Sequence, residues 1–417
     1  MEEGDFLLVD DLLIQILLWL PVISLLRFKT VCKSWRSIIE SSGFIHRHAT
    51  FYNDSATNPN KTGTFIFQYT RLDVRNIGRH RVPHFFLLSS SSGSPTVNDS
   101  NGDYPWLYKD LGVCPRGDQL LERHRPVTMV ASCHGIICLH HILSRDIFLW
   151  NPATKHFRIL PKSLPLEEEY GEFQDDYVGF GFDTETKDYK VLLITSFKSD
   201  YWEGSEPKAK NRVQVYSMHT NSWGRCLDVH LPTYCFSRKD LNQGVYLNGH
   251  YLFLALQFYK YYDEGEEDSF IGNDKVVISF DFSKETYRII PAPSDNYRLD
   301  IRGRDGKIVC VTCLLPNDRK CQVYVLNDDT LKNEYSWTKL YETDMSRPDH
   351  SSVGPMAITK DGLSGFLRGS DGFGLMLYKF ESEEMKDIPI GDVSFRDVLV
   401  DRAQIYKESL VSVYPPS

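Results

Sequence analysis

No stretch of this 417-residue chain approaches the roughly 20 apolar residues that a membrane-spanning helix needs. Met1 to Asp5 is acidic, unlike the basic start of a secretory signal, so a cytoplasmic location, with the nucleus as a second compartment, is expected. Cysteine is sparse and odd in number, at nine, and scattered through apolar stretches, which suits reduced, buried thiols better than a disulfide framework. The triplets beginning at Asn53, Asn60 and Asn98 are then expected to carry no glycan. Positive charge is also short: 47 Lys and Arg against 56 Asp and Glu leave a net charge of −9. Neutralising phosphates takes clustered Lys and Arg, so no nucleic-acid partner is expected, and no membrane partner either.

Catalytic and metal-binding patterns are equally thin. Gly179-Phe-Gly-Phe-Asp183 lacks the third glycine and the following helix of a dinucleotide loop, and Asp188-Tyr-Lys-Val191 reads as the next strand. Cys310 and Cys313 have metal-ligand spacing, but no second Cys or His pair lies at a suitable distance. Cys133-His134 and His140-His141 put thiol and imidazole close in sequence with no identifiable Asp or Asn to orient them. The run after them, Gly135-Ile-Ile-Cys-Leu139, reads as an inner strand of a sheet. Neither catalysis, a cofactor nor a metal is expected.

What the chain does contain divides into two unequal parts. Leu12, Leu13, Ile16, Leu17 and Leu20 recur at the spacing of one helical face, with Asp10 and Asp11 in the first turn, where carboxylates favour the helix dipole. Pro21 stops this helix. Leu25, Leu26, Phe28, Val31, Cys32, Trp35, Ile38 and Ile39 give a second amphipathic stretch, with Ser24 as its expected N-cap and Arg27, Lys29, Lys33 and Arg36 on its solvated side. Helices this short and this apolar cannot cover all their apolar surface against each other, which leaves some for a partner.

From about residue 60 the pattern changes to short strands and turns, and 13% aromatic content fits β structure. Phe148-Leu-Trp-Asn-Pro-Ala-Thr-Lys-His-Phe-Arg-Ile-Leu-Pro161 is the clearest unit, with a polar turn from Asn151 to Lys155 between two strands. Similar units run from Val213 to Trp223, Val277 to Pro291, Val323 to Trp337 and Leu375 to Pro389. A lone hairpin cannot bury its apolar face, so the repeat implies stacking around an axis, and a β-propeller of undetermined blade number is expected.

The N-terminal segment resembles an F-box. Leu8, Asp11, Leu12, Ile16, Leu17, Leu20, Pro21, Val22, Ser24, Leu25, Arg27, Phe28, Val31, Cys32, Lys33, Trp35, Phe44 and His48 match that pattern, while Val9, Gln15 and Ile23 depart from it. The remainder resembles the kelch-like F-box-associated domain of plant F-box proteins. Asn151, Pro152, Thr154, Leu160 and Pro161 match one motif, and Gly179, Phe180, Gly181, Asp183, Asp188, Tyr189, Lys190 and Val191 another. Together with the ending Tyr406-Lys-Glu-Ser-Leu-Val-Ser412, these units are similar to the S-locus F-box group.

The resemblance implies an α+β, mainly β fold, with a helical F-box domain over residues 1–50 and a propeller-like substrate-recognition domain over 51–417. It implies a non-catalytic receptor subunit of an SCF-type ubiquitin ligase that brings a client to ubiquitination and degradation, with no cofactor. A Skp-type adaptor, and through it a cullin, would bind at Leu8, Leu12, Ile16, Leu20, Pro21, Leu25, Val31 and Trp35. For the client, the acidic clusters Glu167, Glu168, Glu169 with Tyr170 and Asp175, Asp176, and Asp263, Glu264, Glu266, Glu267, are expected on loops flanked by aromatics, where they would steer a basic client. Stylar ribonucleases in pollen self-incompatibility are one such client. A non-degradative F-box scaffold and a receptor in stress, immune or hormone pathways remain alternatives.

Overall fold

Four helices open the chain in a computed structural model: α1 (Glu3–Leu18), α2 (Val22–Phe28), α3 (Lys33–Glu40) and α4 (Ser42–Phe51). The structure describes residues 3–51, 64–71, 83–90, 106–113, 127–165, 173–197, 210–224, 233–234, 244–262, 269–293, 298–304, 307–313, 320–329, 334–344, 356–358, 364–368, 374–379, 382, 384–388, 390 and 398–415.

Pro21 ends the first helix and also starts the second. Its φ of −59° suits the entry to α2, where its missing N–H goes unneeded. The expected N-cap at Ser24 is therefore corrected: Ser24 lies inside α2, and its N–H donates to the Pro21 carbonyl at 2.9 Å. The second amphipathic stretch is likewise two helices. Cys32 adopts extended backbone and its Sγ accepts the Trp35 N–H at 3.4 Å, capping α3. Ser41 closes α3, and its Oγ accepts the Phe44 N–H at 3.3 Å at the start of α4. Buried His48 donates from Nε2 to the Leu20 carbonyl at 3.0 Å, in the turn between α1 and α2.

Six antiparallel sheets follow, each a propeller blade. Blade 1 holds β1 (Thr64–Arg71), β2 (Pro83–Ser90) and β3 (Trp106–Val113). Blade 2 is β4 (Val127–Cys133), β5 (Ile136–His141), β6 (Asp146–Asn151) and β7 (His156–Ile159). Blade 3 is β8 (Phe173–Asp183), β9 (Asp188–Phe197), β10 (Lys210–Ser217) and β11 (Ser222–Trp223). Blade 4 has five strands: β12 (Thr233–Tyr234), β13 (Val245–Leu247), β14 (His250–Tyr262), β15 (Ser269–Asp281) and β16 (Thr286–Pro291). Blade 5 is β17 (Arg298–Arg304), β18 (Lys307–Cys313), β19 (Lys320–Asp329) and β20 (Glu334–Asp344). Blade 6 is β21 (Ala357–Ile358), β22 (Ser364–Arg368), β23 (Leu375–Lys379) and β24 (Met385–Ile388).

The last strand, β25 (Val398–Tyr406), returns to blade 1 and pairs antiparallel with β1, Phe67 opposite Ala403. It takes the inner position of that blade. Inner strands touch in sequence around the axis, β25 to β4, β4 to β8, β8 to β13, β13 to β17, β17 to β21 and β21 back to β25, so the ring closes and its inner strands have covered flanks. The five hairpin units read from sequence fall in blades 2 to 6. The strand after Gly135 is corrected from inner to second position, because β4 precedes it at the axis.

One turn recurs where the units were recognised. Asn151 Oδ1 accepts the N–H groups of Ala153 and Thr154, Asp183 Oδ1 those of Glu185 and Thr186, and Asp281 Oδ1 those of Ser283 and Lys284. Lys155, Lys187 and Glu285, four residues after each cap, have φ between 52° and 59°. An oxygen-bearing side chain at the first position and a left-handed residue at the fifth thus make the same tight hairpin three times.

Candidate functional site

The first helix carries two apolar faces, and the protein covers only one. Leu17 and Leu18 join Val22, Leu25, Ile39 and Phe44 in a buried core, with Leu13, Ile14 and Leu20 packed against it. On the other side Leu12, Ile16 and Trp19 are 63%, 61% and 50% exposed. Their spacing of four and three residues makes them one stripe. Ile23 on α2 and Val31 after it are exposed as well. Single exposed apolar residues are ordinary; a stripe of them on one helix is the mark of a docking face.

The expected docking residues separate accordingly. Leu12, Ile16, Pro21 and Val31 are exposed, Leu20 and Trp35 are half-buried, and the Leu8 side chain lies outside the described residues. Trp35 packs on Phe28 with ring centroids 5.2 Å apart. Leu25 is corrected: fully buried among Leu17, Val22 and Ile39, it holds the helices together and presents nothing outward. Trp19 and Ile23, not among the expected residues, are exposed beside them, and Trp19 continues the spacing of Leu12 and Ile16.

This helical module sits on the propeller through α4 and the segment after β25. Ala49 belongs to the large propeller core and Ile45 packs against it, while the His46 ring lies 6.2 Å from that of Phe182. In return, Leu410 is part of the helical core, with Ala153 of the Asn151 turn packed beside it. Lys407 donates to the Ala49 carbonyl in α4. Ser409 donates to the His134 carbonyl, and the Asn151 amide donates to the carbonyls of Ser409 at 3.0 Å and Val411 at 2.8 Å. Gly135, at φ 79°, lets this segment close: a Cβ there would lie 2.6 Å from both the Lys407 carbonyl oxygen and Ser409 Oγ.

The second motif is structural too. A Cβ on Gly179 would meet the Tyr251 ring at 2.6 Å, and one on Gly181 would meet Phe282 and Tyr246 at 2.4 Å. Asp183 accepts from Ser283 Oγ at 2.6 Å and Thr186 Oγ1 at 2.7 Å, and pairs with Lys190 at 3.0 Å. Burial would raise the carboxyl, but the hydrogen bonds from Ser283, Thr186 and Lys190 outweigh it and hold Asp183 well below the usual carboxylate range. Lys190 also donates to the Phe282 carbonyl at 2.9 Å, tying blade 3 to blade 4.

Thiols and imidazoles near the module are tuned away from reactivity. Burial pushes the Cys133 thiol well up, so it stays protonated. Burial, then the Lys407 and His46 charges, lower His134 to about 4, and its Nδ1 lies 3.2 Å from the Tyr189 hydroxyl. Cys310 is buried in β18, and no group of three His, Cys, Asp or Glu among the described residues is placed to hold a metal ion.

Glu167, Glu168, Glu169 and Tyr170, and Asp263, Glu264, Glu266 and Glu267, lie outside the described residues. Their flanks are described in part and differ from expectation. Asp175 and Asp176 sit in β8, not on a loop, and Asp176 is buried, bound by Arg145 Nη2 at 2.8 Å and Thr195 Oγ1 at 2.7 Å. Tyr259, Tyr261 and Tyr262 belong to β14 and Phe270 to β15, in a long hairpin where Tyr262 opposes Ser269. Tyr262 lies at the opposite end of β14 from His250, the residue that follows the Asn248-Gly249 turn.

Comparison with known families agrees with this layout. The model of the F-box associated beta propeller domain matches residues 115–417, and that of the F-box domain matches residues 6–47. An F-box/kelch-repeat protein of Arabidopsis thaliana is 26% identical over 355 residues, covering 81% of each chain. A putative F-box/kelch-repeat protein of the same plant is 25% identical over 369 residues, 81% of this chain and 72% of the relative. Another is 34% identical over 226 residues, 52% of this chain and 46% of the relative.

Proposed function

Because the chain belongs to the F-box proteins that carry an F-box-associated β-propeller domain, we propose that it is the client-receptor subunit of an SCF-type ubiquitin ligase. Its helical stripe binds a Skp-type adaptor and through it a cullin, and the propeller holds the client. The observation that supports this most is the exposed row Leu12, Ile16 and Trp19, extended by Ile23 and Val31, on a module whose other apolar face is fully used. Fully burying such a side chain in an interface contributes about 1.5–3 kcal/mol, which is set against the cost of association.

The chain itself performs no chemistry in this reading. Its adjacent thiol and imidazole, Cys133 and His134, are held protonated and neutral respectively near pH 7. Catalysis would come from other subunits.

For the client we propose a basic protein, of which a stylar ribonuclease is one example, held on the face remote from the helices. Charge supports this: the segments around Glu167–Glu169 and Asp263–Asp268 concentrate acidic residues within a chain of net charge −9.

The test is co-purification of the full chain with a plant Skp-type adaptor, beside a Leu12→Asp, Ile16→Asp double variant. Capture by the wild type and loss in the variant, with unchanged thermal melting, is the expected result. A wild type that captures no adaptor sinks the receptor reading.

A further inference from the structure

We propose that residues 407–414 are a positioning element that holds the helical module at one orientation on the propeller. The consequence for a ligase, that adaptor and client sit at a set distance, rests on the receptor reading above. The orientation itself does not.

The segment has two sides with different partners. Toward the propeller, Asn151 grips the carbonyls of Ser409 and Val411, Arg158 Nη1 donates to the Val413 carbonyl at 3.3 Å, and the Tyr414 hydroxyl donates to the Phe157 carbonyl at 3.1 Å. Val411 and Val413 are members of the large propeller core. Toward the helices, Leu410 completes the module core and Lys407 holds the Ala49 carbonyl. Leu410 enters the helical core while its neighbour Val411 enters the propeller core. One short segment is thereby built into both bodies.

Covalent connection alone would not give this. Twelve residues, 52–63, separate α4 from β1. A free chain of that length has an r.m.s. span of about 20 Å, which would leave the module a wide range of orientations. The contacts of Lys407 and Leu410, with Ile45, His46 and Ala49 of α4, reduce that range to one seat.

The experiment measures that range in the full chain. Ketone-bearing residues replace exposed Ser37 in α3 and Lys284 in the blade 4 turn, so that spin labels leave native cysteines untouched. Pulsed electron resonance then gives the distance distribution in wild type and in a Lys407→Ala, Leu410→Ala double variant. A single narrow peak is expected for wild type, and a distribution at least about twice as wide for the variant, with its propeller still melting cooperatively. Leu410→Met with Lys407 intact should restore the narrow peak. Should the double variant fail to fold, Leu410→Val replaces it, with a smaller broadening expected. A broad wild-type distribution, or a folded variant as narrow as wild type, overturns the proposal. No adaptor is present, so failure of adaptor binding and failure of positioning are read separately.

Discussion

The side-chain amide of Asn151 donates to the main-chain carbonyl of Ser409 at 3.0 Å, joining residues 258 positions apart in a fully buried site. The same side chain also caps its own turn through Oδ1, so one asparagine uses both donor hydrogens and its acceptor.

Asn151→Ala should therefore cost more than an ordinary surface change. It leaves the Ser409 and Val411 carbonyls and two turn N–H groups unmet, at about 1–3 kcal/mol for each buried group left unsatisfied. Asn151→Asp should be worse still, since a carboxylate keeps the turn caps but faces two carbonyl oxygens with no hydrogen to offer. Urea unfolding of the three proteins orders them; an Asp variant as stable as wild type contradicts this account.

Gly135→Ala should fail to reach the native state or lose several kcal/mol. The added carbon meets main-chain and side-chain atoms of 407–409 at 2.6 to 2.8 Å, and the residue must keep φ 79°. Gly43, whose added carbon would meet nothing within 4 Å, is the matched control, and Gly43→Ala should melt within a few degrees of wild type.

Leu25 and the stripe residues should part company in a two-readout experiment. Leu25→Ala empties a fully buried site and should lower stability by about 2–5 kcal/mol. Ile16→Asp, at an exposed position, should leave melting nearly unchanged while weakening adaptor binding at least about tenfold. Equal melting losses for both would show that the stripe is covered within this protein.

Acid should loosen the seat of the helical module. Burial, Lys407 and His46 lower His134, and burial lowers His140 against the opposing charge of Asp176, both to about 4 from 6.5. A histidine whose folded value lies below its unfolded one contributes stability that is full above pH 6.5 and is lost as pH falls toward 4, because the unfolded chain takes the proton first. Each group accounts for up to about 3 kcal/mol over that window. Around His134 stand Cys133, Tyr189, Tyr246, His46 and Lys407, with no carboxylate among the groups that shift it. His134→Asn, a residue suited to its φ of 45°, should flatten the pH slope by about one proton between pH 6 and 5. An unchanged slope would assign the loss elsewhere.

The parts of the fold legible in sequence were those specified locally. Asn151-Pro-Ala-Thr-Lys155 announces its turn because cap and left-handed residue lie within five positions, and Pro21 marks a helix boundary by geometry alone. Blade 1 was not legible: β25 pairs with β1 across the whole propeller, and no local pattern encodes such a partner. Ser24 misled because a good capping residue competes with a proline that already opens α2. Leu25 misled because matching a motif does not say which way a side chain faces. Trp19 was within reach, since its spacing from Leu12 and Ile16 is helical.

Closure of blade 1 by β25 also imposes an order of events on synthesis. The helices and β1 emerge early from the ribosome, yet neither can be finished until Leu410 and the strand before it have emerged, more than 300 residues later. During that interval the nascent chain exposes the edge of β1 and an unfilled gap between the helices. A messenger interrupted anywhere before residue 398 would yield a product lacking both a closed ring and a seated module, its β1 edge left open to pair with other chains.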